Sequence, residues 1–151
     1  MKTNSVIAVG ASLCAMLVGL APAAQARARS CSQERAAGDY GYTNSGTIPA
    51  RGGFDFLSVG RATLDAAGNI SGDQTTSLNG IVVHETITGR FTVNADCTAT
   101  AIINVFQGGT LVRSSPLDAV FVDDQNEIRA IVTTQGTAIS VNIRRVFTAE
   151  D

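Results

Sequence analysis

The sequence has no tryptophan and a single lysine, Lys2, in 151 residues. It has one histidine, His84, three prolines, and only eight aromatic side chains, two Tyr and six Phe. Each scarcity narrows the field. Past Lys2 the positive charge is all arginine and forms no cluster, and thirteen acids leave a formal net charge of −2. Nucleic-acid binding, which needs a concentrated positive surface, is therefore not expected. With one histidine, a Ser-His-acid set would have to use His84, and no G-x-S-x-G, Gly-rich phosphate loop or H-E-x-x-H is present. His84 alternates with Thr86 and Thr88 on the polar face of its segment, which suits an exposed strand histidine. Asp123-Asp124-Gln125-Asn126-Glu127 crowds three carboxylates into a turn but lacks the spaced D-x-D-x-D-G pattern of a calcium loop. No metal site and no cofactor are expected.

Beyond the first residues there is no long apolar run. At the start, Lys2 is followed by an apolar stretch from Val6 to Leu20, broken at Pro22, with Ala24-Gln25-Ala26 as a small-residue cleavage site. This reads as a secretory signal over residues 1–26, with Ala28 as a second cleavage choice, leaving a single domain over 27–151. The stretch is short for a bilayer span. The protein is accordingly expected to be secreted or periplasmic, with no membrane insertion after cleavage. Cys14 goes with the signal, which leaves Cys31 and Cys97. In an oxidising compartment these two have one possible pairing; the alternative is two free or metal-binding thiols, for which no C-x-x-C or histidine cluster speaks.

What is abundant is a rhythm. Short runs rich in Val, Ile, Thr and Phe are cut by Gly, Asn and Asp about every ten residues, the spacing of an all-β meander. Turns are marked at Asp65–Asn69, Asn79-Gly80, Asp96-Cys97, Gly108-Gly109, Asp123–Asn126 and Gln135-Gly136. Between them fall strands at Asp39–Ile48, Phe54–Leu64, Asn69–Leu78, Ile81–Asn94, Thr98–Phe106, Leu111–Val122, Glu127–Thr134 and Thr137–Phe147. Short connections make sequence neighbours antiparallel neighbours. Eight such strands favour a closed or nearly closed up-and-down barrel, because closure removes unpaired edges.

Alternation assigns the inner face. From Ile81 it reads Ile81, Val83, Glu85, Ile87, Gly89, Phe91, Val93; in the last strand it reads Ile139, Val141, Ile143, Arg145, Phe147. Two charges, Glu85 and Arg145, thus fall among apolar residues, where an unpaired charge is costly. Three readings remain open. Arg145 closes the barrel end by lying under Tyr40 and bonding carbonyls; both charges face a polar cavity and meet a ligand; or one or both sit at a wet rim.

Gly38-x-Tyr40 at the first strand, about eight meandering strands and an arginine on the last resemble the calycin pattern of lipocalins and their relatives, in which a Gly-x-Trp packs against a late Arg. Here Tyr40 stands in the place of the Trp. Thr88–Ala101, "TGRFTVNADCTATA", and Ala62–Gly72, "ATLDAAGNISG", resemble segments of small exported bacterial proteins of unassigned role, with Ala99 where Gly is usual. The resemblance implies a barrel closed by Gly38, Tyr40 and Arg145. Three function classes fit it. In the first, the barrel holds a small apolar or amphipathic ligand among Phe54, Phe56, Phe91, Val93 and Val141, with Glu85 or Arg145 as polar anchor. The second is a solid-core structural or protein-interaction module of the cell envelope. The third is a barrel-type isomerase resembling allene oxide cyclase, with Glu85 as its sole candidate acid.

Overall fold

The computed structural model describes residues 30–49 and 52–146. The signal segment, the 1–26 boundary and Phe147 lie outside them. Eight antiparallel strands, β1 (Gly38–Ile48), β2 (Phe54–Leu64), β3 (Asn69–Leu78), β4 (Ile81–Val93), β5 (Thr98–Gln107), β6 (Thr110–Val122), β7 (Glu127–Val132) and β8 (Ala138–Arg145), close in sequence order into one barrel. The ring is sealed by β1 against β8, from Tyr40↔Arg145 to Thr47↔Ala138. Closure gives every strand a neighbour on each side, which is how an all-antiparallel sheet avoids long open edges; the longest stretches that extend past their partner on one side are residues 81–85 of β4 and 110–115 of β6.

The turn chemistry sets the strand ends. Asn79 and Gly80 both take positive φ, 49° and 87°, the two-residue hairpin geometry that follows the twist of the strands. The β7–β8 connection is longer than the sequence implies: β7 stops at Val132 rather than Thr134, and β8 starts at Ala138. Thr133 N–H still bonds the carbonyl of Pro116, continuing the β6–β7 register by one residue, and Thr137 bonds back to Thr134.

Side chains alternate as a half-buried sheet requires. On β4, Glu85, Ile87 and Phe91 are buried while His84, Thr86, Thr88, Arg90 and Thr92 are exposed. The outward residues of β1 and β3 are likewise mostly polar: Asp39, Thr43 and Ser45 on one, Asn69, Ser71, Asp73 and Thr75 on the other. No helix among the described residues is long and apolar enough to cross a membrane.

Up-and-down order sends all even turns to one end and all odd turns to the other, and the two ends differ. One is plugged. A single helical turn absent from the sequence expectation, α1 (Gln33–Ala36), is capped by Ser32 and lies across that end. The disulfide Cys31–Cys97 ties it to the β4–β5 turn, with Cα atoms 4.9 Å apart. Gln125, fully buried, donates to Ser32 O (2.9 Å) and accepts from Ser32 N–H (3.3 Å). Tyr40, also fully buried, donates to Ala36 O at 2.7 Å.

Arg145 completes the plug. Its guanidinium donates to Ala37 O (2.7 Å), Arg35 O (2.8 Å) and Tyr40 Oη (2.8 Å), and lies 5.0 Å from the Tyr40 ring centroid. The missing side chain of Gly38 leaves the room it occupies, since a Cβ there would collide with the guanidinium. Burial raises the Tyr40 pKa, partly offset by Arg145, so the phenol stays protonated and donates. An Arg145→Ala variant leaves two carbonyls and a phenol without their donor and should lose about 2 kcal/mol of stability in urea unfolding. Arg145→Lys should recover only part of it, because an ammonium cannot fork across three acceptors while stacked. An alanine variant as stable as the parent would show that the plug does not depend on Arg145.

Candidate functional site

Above the plug the barrel is hollow. The cavity is about 570 Å³, within the range of small-molecule sites. Its floor is apolar: Leu64, Ile70, Phe91, Phe121 and Ile128 come from the plugged ends of five strands. Its walls include Ile87, Val105, Leu117, Ala130, Ile139 and Val141. At the opposite end it reaches Ile48, Leu78, Ile81, Gln107, Val112 and Gly136, so that end is the mouth. Ile81 there is 70% exposed, whereas Tyr40 in the plug is 0% exposed. Small inner side chains account for the space. Ala62, Ala99, Ala101, Ala119 and Ala130 all line the cavity, where larger residues would fill an eight-stranded barrel.

One wall is polar, and it is built by register. Tyr42, Gly60, Gln74 and Glu85 stand directly opposite one another across β1, β2, β3 and β4. Gly60 supplies no side chain, so the Tyr42 ring lies over it; a Cβ at Gly60 would come within 2.6 Å of the Tyr42 hydroxyl. Tyr42 thereby reaches two strands over and donates to Gln74 Oε1 at 3.0 Å. Gln74 Nε2 passes the chain on, donating to Glu85 Oε2 (2.7 Å) and Thr76 Oγ1 (3.0 Å). Thr76 Oγ1 donates to the same Glu85 oxygen at 2.6 Å.

The strongest partner of Glu85 comes from β6. Arg113 Nη1 and Nη2 grip Glu85 Oε1 and Oε2 at 2.7 and 2.8 Å, a two-pronged charge-assisted pair. The Glu85 side chain is 3% exposed and that of Arg113 31%; the guanidinium also sits 5.4 Å from the Phe56 ring centroid. Burial by itself pushes the Glu85 carboxyl up. The hydrogen bonds from Arg113, Thr76 and Gln74 outweigh it and hold the group below its ordinary value, so it is a carboxylate at neutral pH. Tyr42 is shifted upward, first by burial and then by Asp73, and stays a neutral phenol.

The structure distributes the sequence candidates unevenly. Phe56, Glu85, Phe91 and Val141 all line the cavity. Phe54 shares their inner face but is only half-buried at the start of β2, and it does not line the cavity; nor does Val93, at the plugged end of β4. Arg145 belongs to the plug with Gly38 and Tyr40, so of the two inward charges only Glu85 meets the interior. Tyr42, Gln74, Thr76 and Arg113 were missed. A sequence signal existed for Arg113, which shares the phase of Leu117 and Phe121, but Val112, Val120 and Val122 make the other face of β6 equally apolar.

Other candidates lie apart from the cavity. His84 is on the outer face, its Nδ1 3.0 Å from Thr75 Oγ1. The acidic stretch forms a 3₁₀ turn, Asp123–Gln125, in which Asp124 pairs with Arg35 at 2.6 Å. Among the described residues no group of three His, Cys, Asp or Glu side chains is arranged to hold a metal. A lateral cleft of about 310 Å³ lies outside Glu85, where the β4–β5 pairing ends at Thr86↔Phe106.

Fold and site together define a closed eight-stranded up-and-down β-barrel, plugged at one end and hollow toward the other, an architecture consistent with a calycin-like fold. Compared with known proteins, the chain matches no family model, no curated protein and no solved structure.

Proposed function

We propose that this is an exported, calycin-like carrier that binds one small, largely apolar molecule inside its barrel. The observation that supports this most is the cavity itself: about 570 Å³, floored by apolar side chains, with one organised polar wall and one mouth. Cavities too apolar and too large to be filled by the surrounding side chains cost packing energy, and a ligand restores it. A hollow interior counts against a solid-core interaction module. An isomerase using Glu85 as a proton donor is disfavoured by the Arg113 grip, which lowers rather than raises the carboxyl pKa. The disulfide agrees with an oxidising compartment, in line with the signal expected over residues 1–26.

Filling the space tests the reading. Ala130 faces the cavity from β7, opposite Val141. An Ala130→Phe variant should bind a neutral apolar fluorophore, N-phenyl-1-naphthylamine, at least about tenfold more weakly, while its thermal stability holds or rises. Ala101→Phe, from β5, serves as a second filling variant. Native mass spectrometry of the protein purified from its own host should show a small molecule that departs on denaturation. Failure of the intact, disulfide-bonded protein to bind the fluorophore at all would overturn the proposal.

A further inference from the structure

The pair with Glu85 does not use up Arg113. A guanidinium offers its N–H donors as two forks, one end-on across Nη1 and Nη2 and one side-on across Nε and Nη2. Glu85 takes the end-on fork, one oxygen to each Nη. The Nε hydrogen and the outer hydrogen of each Nη have no acceptor among the described residues. The Phe56 ring lies against the guanidinium, so it covers a face of the plane and leaves the edges, where the donors are. Arg113 lines the cavity, and 31% of its side-chain surface is open.

A second unspent donor lies beside it. Arg113, Ser115, Leu117, Ala119 and Phe121 share one face of β6, and all of them line the cavity. Ser115 is half-buried, and its hydroxyl makes no hydrogen bond to any described residue. The other polar side chains of the wall are taken: Tyr42, Gln74 and Thr76 are bonded to one another and to Glu85. β6 runs from the mouth to the plugged end, so its inner face passes from a cation through a hydroxyl to apolar side chains as the cavity deepens. In the empty cavity water satisfies such donors. A wholly apolar ligand that displaces this water leaves them dry, which is costly. A ligand that brings an acceptor oxygen to the level of Arg113 and Ser115 avoids that cost.

We infer that the cavity selects amphipathic ligands whose head is a carbonyl-type acceptor oxygen, received by the side-on fork of Arg113 and by the Ser115 hydroxyl, with the apolar body lying past Leu117 toward the Phe121 floor. The inference rests on the carrier reading and adds the head group and its seat. Glu85 then acts as a positioning residue, because its hold on the end-on fork fixes where the side-on fork points. Acids and neutral ketones, esters or amides all present such an oxygen, and matched probes separate the charged source from the neutral one.

Displacement of bound N-phenyl-1-naphthylamine tests this at neutral pH with three ten-carbon probes: 2-decanone, decanoate, and 1-decene, which has no acceptor. Two variants remove the donors. Ser115→Ala takes away the hydroxyl; Glu85→Leu combined with Arg113→Met takes away the fork and leaves no buried charge. The 2-decanone concentration for half-displacement should rise about threefold in the first and about tenfold in the second, while 1-decene moves by less than about twofold, because only the ketone loses a hydrogen bond. A purely structural role for these residues would move every probe together. Decanoate weakened along with 2-decanone admits acids to the seat; decanoate unmoved confines the seat to neutral carbonyl compounds. Unmoved 2-decanone, or 1-decene weakened equally, overturns the inference while the carrier reading stands on fluorophore binding. The infrared carbonyl stretch of carbon-13-labelled 2-decanone bound to the parent protein reads the contact without any variant. It should lie below its value in hexane, and a stretch unchanged from hexane overturns the contact. No fluorophore binding by the parent protein removes the carrier reading and this inference together.

Discussion

An Arg113→Met variant is expected to lose about 3 kcal/mol of unfolding free energy at neutral pH. Methionine keeps most of the volume but removes the counter-charge, and the Glu85 carboxylate, 3% exposed, stays on the wall with only Thr76 and Gln74 to hold it. The value belongs at the lower end for breaking a buried pair because Arg113 is itself 31% exposed. The pH dependence is specific. In the parent protein the folded-state pKa of Glu85 is depressed below 4.5, so its contribution is present above that value and is lost as pH falls through the lower folded one. Without Arg113, burial dominates and the folded pKa rises above the unfolded value. The variant then takes up a proton on folding, and its deficit shrinks as pH drops below that raised value. Urea unfolding at pH 7 and pH 4 reads both. Glu85→Leu combined with Arg113→Met should recover much of the loss, since no charge is then left buried. Equal stability of parent and Arg113→Met at pH 7 would mean the pair contributes nothing to the wall.

Removal of the disulfide in a Cys31→Ser/Cys97→Ser variant should cost about 3 kcal/mol and lower the melting temperature by roughly 10 °C. The two residues are 66 apart in sequence, and the chain-entropy argument gives about 4 kcal/mol for a loop of that length before native-state strain is subtracted. The bond holds the N-terminal segment as a lid on the floor, but it is not alone there. The Ser32–Gln125 bonds, the Tyr40 bond to Ala36 and the Arg145 bonds all grip the same segment. The barrel should therefore still fold in the variant, with the loss seen as a lower transition of unchanged shape. An unchanged melting temperature, or two titratable thiols in the unfolded and unreduced parent protein, would show that the bridge does not form.

Much of the architecture is legible in the sequence because strands and turns are local. Asn79-Gly80 sets a hairpin wherever it occurs between alternating runs, and the starts of β2, β3, β4, β5 and β7 coincide with the expected positions. The inner face of β4, Glu85 included, follows from period-two alternation alone. The pairing of Gly38 and Tyr40 with Arg145 across the seam was expected from a resemblance, and the structure shows the stacking and the carbonyl bonds that accompany it. Signals failed where a residue's meaning depends on distant ones. α1 is one turn long, too short to show a helical period, and is held by Gln125, far along the chain. Arg113 meets Glu85 across the interior from β6, with β5 between the two strands, so no neighbour pattern announces the pair.

By itself, then, the sequence determined a meander of eight strands, the inward faces of β4 and β8, and that the ends meet. Whether the barrel holds a solid core or a cavity was decided only in three dimensions. The interior width is a property of the closed ring, set by strand number and stagger. The filling is a sum over side chains from all eight strands, in which five inward alanines leave room that Tyr42, Phe56, Phe91 and Phe121 do not fill. The chemistry of that room was decided there too. Only the register of the paired strands places Tyr42 over Gly60 and Arg113 against Glu85.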